Sequence, residues 1–170
     1  MKLNRHPESP PHDLSIDVQV ERSGDTLSVR YTVSGAVGAV VLPPRGASGR
    51  SDGLWRSTCF EAFIRGTGDR YAELNFAPSG GWAAYEFEDY RQEPSDLDID
   101  EPAIQFGRSE REMMLSVSVG LPDRIARVAA PLGLSAVIED QDGAKSYWAL
   151  AHSEGPPDFH HADCFVAKLP

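Results

Sequence analysis

The chain carries only two cysteines in 170 residues, Cys59 and Cys164, too few for a disulfide framework and without the close spacing of a zinc site. Both are expected to be free, buried thiols. Positive charge is also scarce. Sixteen Lys and Arg face 26 Asp and Glu, a net charge of −10, so nucleic acid or an acidic membrane surface would be repelled over most of this surface. No run of about 18 apolar residues occurs, which excludes a helical membrane span. Where an export signal would place its apolar stretch, the N-terminal region has Glu8, prolines and His12, so a soluble, cytoplasmic protein is expected.

Several chemical motifs are absent or incomplete. No Gly-x-Ser-x-Gly turn, phosphate loop or cysteine-nucleophile signature occurs, so nucleophilic catalysis has no support. Gly66-Thr67-Gly68 opens like a dinucleotide fingerprint but joins two predicted strands, with no third glycine and no helix to follow. Asp96, Asp98 and Asp100 match the start of a calcium loop, yet Glu101 and Gly107 stand where the turn glycine and the bidentate acid belong. His160 and His161, near His152 and Asp163, resemble metal ligands, but adjacent residues on an extended chain point to opposite faces. No metal site and no cofactor are expected; a looser divalent-cation site is the minority alternative.

What is present is alternation. Leu14, Ile16, Val18 and Val20 share one face and Ser15, Asp17, Gln19 and Glu21 the other. After Ser23-Gly24-Asp25 the pattern restarts with Leu27, Val29, Tyr31 and Val33, which predicts an antiparallel hairpin. Ala36–Leu42 is small and apolar and stops at Pro43-Pro44; further strands are expected at Thr58–Ile64, Tyr71–Phe76, Trp82–Phe87, around Met113–Val119, Leu134–Glu139 and Ser146–His152, with Phe165–Leu169 able to close the sheet. Arg45–Gly53 reads as a mobile Gly/Ser-rich loop, and the acidic residues 88–102 as a solvated surface connection. The single helical candidate is Pro122–Ala130, with Ile125, Val128 and Ala129 on one face. Many strands without strand-helix alternation predict an all-β, single-domain antiparallel β-sandwich with at most one short helix. Residues 1–13 form an N-terminal extension in this reading and 14–170 the domain.

The central strands also offer a polar face. Phe60, Ala62 and Ile64 alternate with Cys59, Glu61 and Phe63, and Ala72, Leu74 and Phe76 with Tyr71, Glu73 and Asn75. With both apolar sets in the core, Glu61, Glu73 and Asn75 share one surface, provided the intervening loop has an odd length or a bulge. Carboxylates and an amide beside aromatic rings suit a polyhydroxylated ligand, because the acids accept sugar hydroxyls and the rings cover C–H faces. The same residues also suit a plain strand face with cross-strand arginine partners.

The run Leu54-Trp55-Arg56-Ser57-Thr58-Cys59-Phe60-Glu61-Ala62-Phe63 and the run Tyr71-x-Glu73-Leu74-Asn75-Phe76-x-Pro78-Ser79-Gly80-x-Trp82-x-x-Tyr85 resemble bacterial DOMON-like proteins related to family 9 carbohydrate-binding modules. Ser146-Tyr147-Trp148-Ala149-Leu150-x-His152 and Pro157-Asp158-Phe159-His160-His161 resemble the same group. The resemblance implies an immunoglobulin-like or jelly-roll sandwich that binds sugars or haem without catalysis. Its sugar-binding members clamp ligand between paired tryptophans. Its haem-binding members use Met and His ligands, whereas here Met113 and Met114 lie in a strand with no assignable histidine.

The expected function is therefore a non-catalytic ligand-binding module for a carbohydrate or sugar derivative, an intracellular one given the absent signal. Its candidate contacts are Trp55, Arg56, Glu61, Glu73, Asn75, Trp82, Arg91 and His160. Two alternatives stand beside it: a glycoside-processing enzyme using Glu61 and Glu73, and a scaffold whose acidic 88–102 segment meets a basic partner.

Overall fold

A computed structural model of the chain describes residues 1–44, 49–92, 94–126 and 129–170. Among the described residues thirteen strands run in chain order: β1 Lys2–Arg5, β2 Leu14–Ser23, β3 Thr26–Gly35, β4 Gly49–Arg50, β5 Cys59–Arg65, β6 Tyr71–Phe76, β7 Gly81–Phe87, β8 Ser95–Asp96, β9 Ala103–Arg108, β10 Glu112–Gly120, β11 Pro131–Glu139, β12 Lys145–Ala149 and β13 Ala167–Lys168. The alternation at 14–33 folds as read. β2 and β3 pair from Leu14↔Gly35 to Ser23↔Thr26, and Gly24 takes a φ of 63° in the tight turn.

The two-sheet sandwich is overturned. Hydrogen bonding continues through one sheet in the order β4-β7-β6-β5-β11-β12-β1-β2-β3-β10-β9, with β13 beside β11 and β8 beside β7. The joint is β1, within the stretch read as an extension: Lys2 and Leu3 pair with Asp17 and Ile16, whereas Asn4 and Arg5 pair with Ala149 and Trp148. Alternation reports which face of a strand is buried but not which strand lies beside it, so a curled sheet and a sandwich read alike. The sheet curls into an open half-barrel around one core, where Ile16, Val29 and Tyr31 meet Phe60, Leu74 and Leu134. The Tyr31 and Phe60 rings lie 5.0 Å apart, and the buried Tyr31 hydroxyl donates to the Glu61 carbonyl at 2.6 Å.

The expected helix is also overturned. Pro122 to Ala126 makes one turn, with the Ala126 amide on the Pro122 carbonyl, and Ala129 takes a φ of 60° and donates to Leu169. Val128 lies outside the described residues. A window closed by Pro122 and Pro131 is too short to repay helix nucleation. In the apolar stretch Ala36–Leu42, Val37–Ala39 forms a 3-10 turn and Val40 bridges to Asp140.

Two stretches read as loops take part in the sheet. Of Arg45–Gly53, residues 45–48 lie outside the described residues, while Gly49 and Arg50 pair in parallel with Gly81 and Trp82. In 88–102, where Glu93 lies outside the described residues, Ser95 and Asp96 pair with β7 and Leu97 is fully buried. The apolar side chain at 97 outweighs the charge around it. Among the described residues no helix is long and apolar enough to cross a membrane.

Candidate functional site

β5, β6 and β7 are buried on both faces, and the site follows from how the second face is covered. Phe60, Ala62, Leu74 and Phe76 enter the main core; Phe63, Tyr71, Tyr85 and Phe87 point the other way. There they meet Phe159, Cys164 and Phe165 from the C-terminal segment, which crosses over the sheet. Gly133 permits that crossing, because a Cβ there would lie 3.2 Å from the Cys164 carbonyl oxygen.

The register brings the polar residues onto this face. Glu61 pairs with Asn75, Phe63 with Glu73 and Arg65 with Tyr71, so the loop between β5 and β6 has an odd length. Instead of an open concave surface, they form the floor of a pocket of about 570 Å³, within the size range of small-molecule sites. Trp55, Tyr85, Tyr147 and Phe159 are among its aromatic lining, and Asp52, Asp96, Arg91 and His160 add polar groups.

The floor is a hydrogen-bonded row. Asn75 Nδ2 donates to Glu73 Oε1 at 2.7 Å, and the Ser135 hydroxyl donates to Glu61 Oε2 at 3.0 Å. Asn75 is wholly enclosed and acts on the pocket through Glu73. Burial, then the neighbouring Glu73 carboxyl, pushes the Glu61 pKa up to about 8, against the Ser135 hydrogen bond. Glu73 is also raised by burial, with Asn75 and Arg91 opposing. Glu61 therefore holds a proton near neutral pH.

His160 sits above this row. Its Nε2 lies 3.7 Å from Glu73 Oε2, and its Nδ1 is 2.8 Å from the Tyr71 hydroxyl. That hydroxyl also accepts from the Arg91 amide at 3.1 Å, and the tautomer with the proton on Nε2, facing Glu73, lets the hydroxyl donate to Nδ1. Burial, then the Arg91 charge, lowers the His160 pKa to about 4, leaving a neutral ring at pH 7.

The two bases near the pocket are already engaged. Arg91 Nη2 bonds Asp158 Oδ1 at 2.8 Å, and Asp158 also accepts from the Tyr90 hydroxyl and the His160 amide. Arg50 bonds Asp96 at 2.9 Å and lies over the Trp82 ring at 5.2 Å. Asp52 accepts from the Tyr85 hydroxyl at 2.6 Å.

Of the eight residues singled out in the sequence, Trp55, Glu61, Glu73, Arg91 and His160 line the pocket and Asn75 supports it from behind. Trp82 does not: it pairs with Phe76 and packs in the main core, 6% exposed. Arg56 is exposed outside the lining, its side chain beside Gly53. No tryptophan clamp forms, since Trp148 also lies in the core; Trp55 instead meets Tyr85 edge-on at 6.4 Å. Tyr85 was within reach of sequence reasoning, because carrying the register into β7 places it opposite Glu73. Asp52, Asp96 and Phe159 were not, since their loops have no periodicity. Among the described residues no group of three or more His, Cys, Asp or Glu could hold a metal ion. Both cysteines are free and buried.

No family model and no curated protein matches this chain. Its fold is similar to that of a candidate carbohydrate-binding protein from Bacteroides uniformis ATCC 8492, with a TM-score of 0.62 at 17% identity over 93% of this chain and 78% of the other. It is also similar to a family 9 carbohydrate-binding module from Caldicellulosiruptor kristjanssonii in complex with cellotriose, with a TM-score of 0.51 at 9% identity over 90% and 74% of the chains. The glucose complex gives 0.50 at 7% identity over 90% and 76%. The chain thus shares its fold, at low identity, with family 9 modules and a related protein.

Proposed function

We propose that the protein is a non-catalytic binding module for a small saccharide or sugar derivative, which enters the pocket over β5, β6 and β7. The observation that carries this reading is the composition of that pocket: a hydrogen-bonded floor of Glu61 and Glu73 beneath Trp55, Tyr85, Tyr147 and Phe159. Carboxyl groups and the His160 N–H present acceptors and donors to hydroxyls, and the rings cover apolar sugar faces. The shared fold with modules seen bound to glucose and cellotriose supports the choice of ligand class.

Titration calorimetry with mono- and disaccharides tests it. Binding tighter than about millimolar, weakened in Trp55→Ala, is the expected result. Absence of binding across hexoses, amino sugars and β-1,4-linked disaccharides would overturn the reading.

A further inference from the structure

The charge balance of the pocket narrows the ligand, if the saccharide reading on which this rests is right. Four carboxyl groups line the cavity, Asp52, Glu61, Glu73 and Asp96, against one cationic side chain among the described lining residues, Arg91. Arg91 is tied to Asp158 outside the cavity, and His160 is neutral at pH 7. Arg50 answers Asp96, which leaves Asp52, Glu61 and Glu73 without a salt bridge to Lys or Arg among the described residues, although the Arg91 charge acts on Glu73 from nearby.

The decisive feature lies on the floor. Glu61 is 2% exposed and its Oε2 is occupied by Ser135, while Oε1 has no hydrogen-bond partner among the described residues. Glu73 is 6% exposed; its Oε1 accepts from Asn75, and its Oε2 lies 3.7 Å from the His160 ring. Two enclosed carboxyl groups on one face are costly to ionise together unless a cation comes between them. The described residues provide no such cation and no metal-binding cluster. Aromatic walls are compatible with a ligand cation, whose charge their ring faces attract.

We propose that the pocket selects a saccharide bearing a free amino group, with its ammonium seated between Glu61 and Glu73 and its ring against the aromatic wall. A neutral sugar would satisfy the hydroxyl-binding groups and leave the pair sharing its proton, whereas an ammonium would stand in for that proton. An acetylated amine would lose the charge and add bulk.

The test uses the full chain and three β-1,4-linked disaccharides that differ only at C2: those of glucosamine, glucose and N-acetylglucosamine. Calorimetry at pH 7 should give at least ten-fold tighter binding of the glucosamine disaccharide than of either other sugar. Glu73→Gln should reduce that preference to three-fold or less. Equal binding of the three would overturn the amine inference and leave the saccharide reading standing; no binding of any would overturn both. A preference for the acetylated sugar, or one unchanged in a folded Glu73→Gln variant, would also overturn the inference.

Discussion

Glu61 and Glu73 are diagonal neighbours across β5 and β6: Asn75 stands opposite Glu61, and Phe63 opposite Glu73. Diagonal residues on an antiparallel pair have separations of about 7–8 Å, against roughly 5 Å for direct opposites. A retaining glycosidase needs its carboxyl groups about 5–5.5 Å apart, and this register does not set the two glutamates directly opposite each other. Chromogenic glycosides are therefore expected to remain unhydrolysed. Turnover abolished by Glu61→Gln would replace the binding-only reading with an inverting enzyme.

Stability should fall from pH 6.5 to 8, and Glu61 is the reason. Its folded pKa, about 8, lies above the ordinary 4.5, so the folded state binds the extra proton and stabilisation is lost as pH rises through this window. His160 acts oppositely, its pKa lowered to about 4 from 6.5, and raises stability only between those values. The two effects oppose each other below pH 6.5, and Glu61 acts without that offset above it. Glu73, Cys59 and the Tyr31 hydroxyl are the other titratable groups packed around Glu61, and all are raised by burial. Denaturant titrations should show a loss of about 2 kcal/mol across this interval in the natural chain and a flatter profile in Glu61→Gln.

The two tryptophans of the central motifs should separate binding from folding. Trp55 is 42% exposed at the pocket mouth, so Trp55→Ala should leave the thermal midpoint nearly unchanged and weaken saccharide binding by about ten-fold. Trp82 fills the core, its indole N–H without a hydrogen-bond partner among the described residues. Trp82→Ala should cost about 3–5 kcal/mol of stability, read from chemical denaturation.

This contrast also marks how far the sequence could be read. Period-two alternation placed Glu61, Glu73 and Asn75 on one face, because register follows once the apolar partners are buried. It could not show that β1 joins the two halves of the sheet, since four residues with one buried apolar side chain carry no pattern. Nor could it show that the chain near Phe159 covers the polar face. Trp82 sits one residue out of phase with Ala83, which faces the second cluster, and its place in the core follows from that phase rather than from its ring. Aromatic identity suggested a ligand contact where alternation pointed inward.

The Arg91–Asp158 pair offers the sharpest check on pocket charge. Asp158 holds the guanidinium by a 2.8 Å bond, and Arg91 already contributes to lowering the Glu73 pKa from nearby. Asp158→Asn removes the counter-charge, and the released guanidinium then becomes the nearest cation to Glu73. The glucosamine disaccharide should lose several-fold in affinity in this variant, while the glucose disaccharide changes little. Asp158 also anchors the His160 amide, so a loosened wall would weaken both sugars equally. The ratio of the two affinities, measured by calorimetry at one pH, is therefore the quantity that reports charge alone. A ratio unchanged from the natural chain would mean that Arg91 does not compete for Glu73.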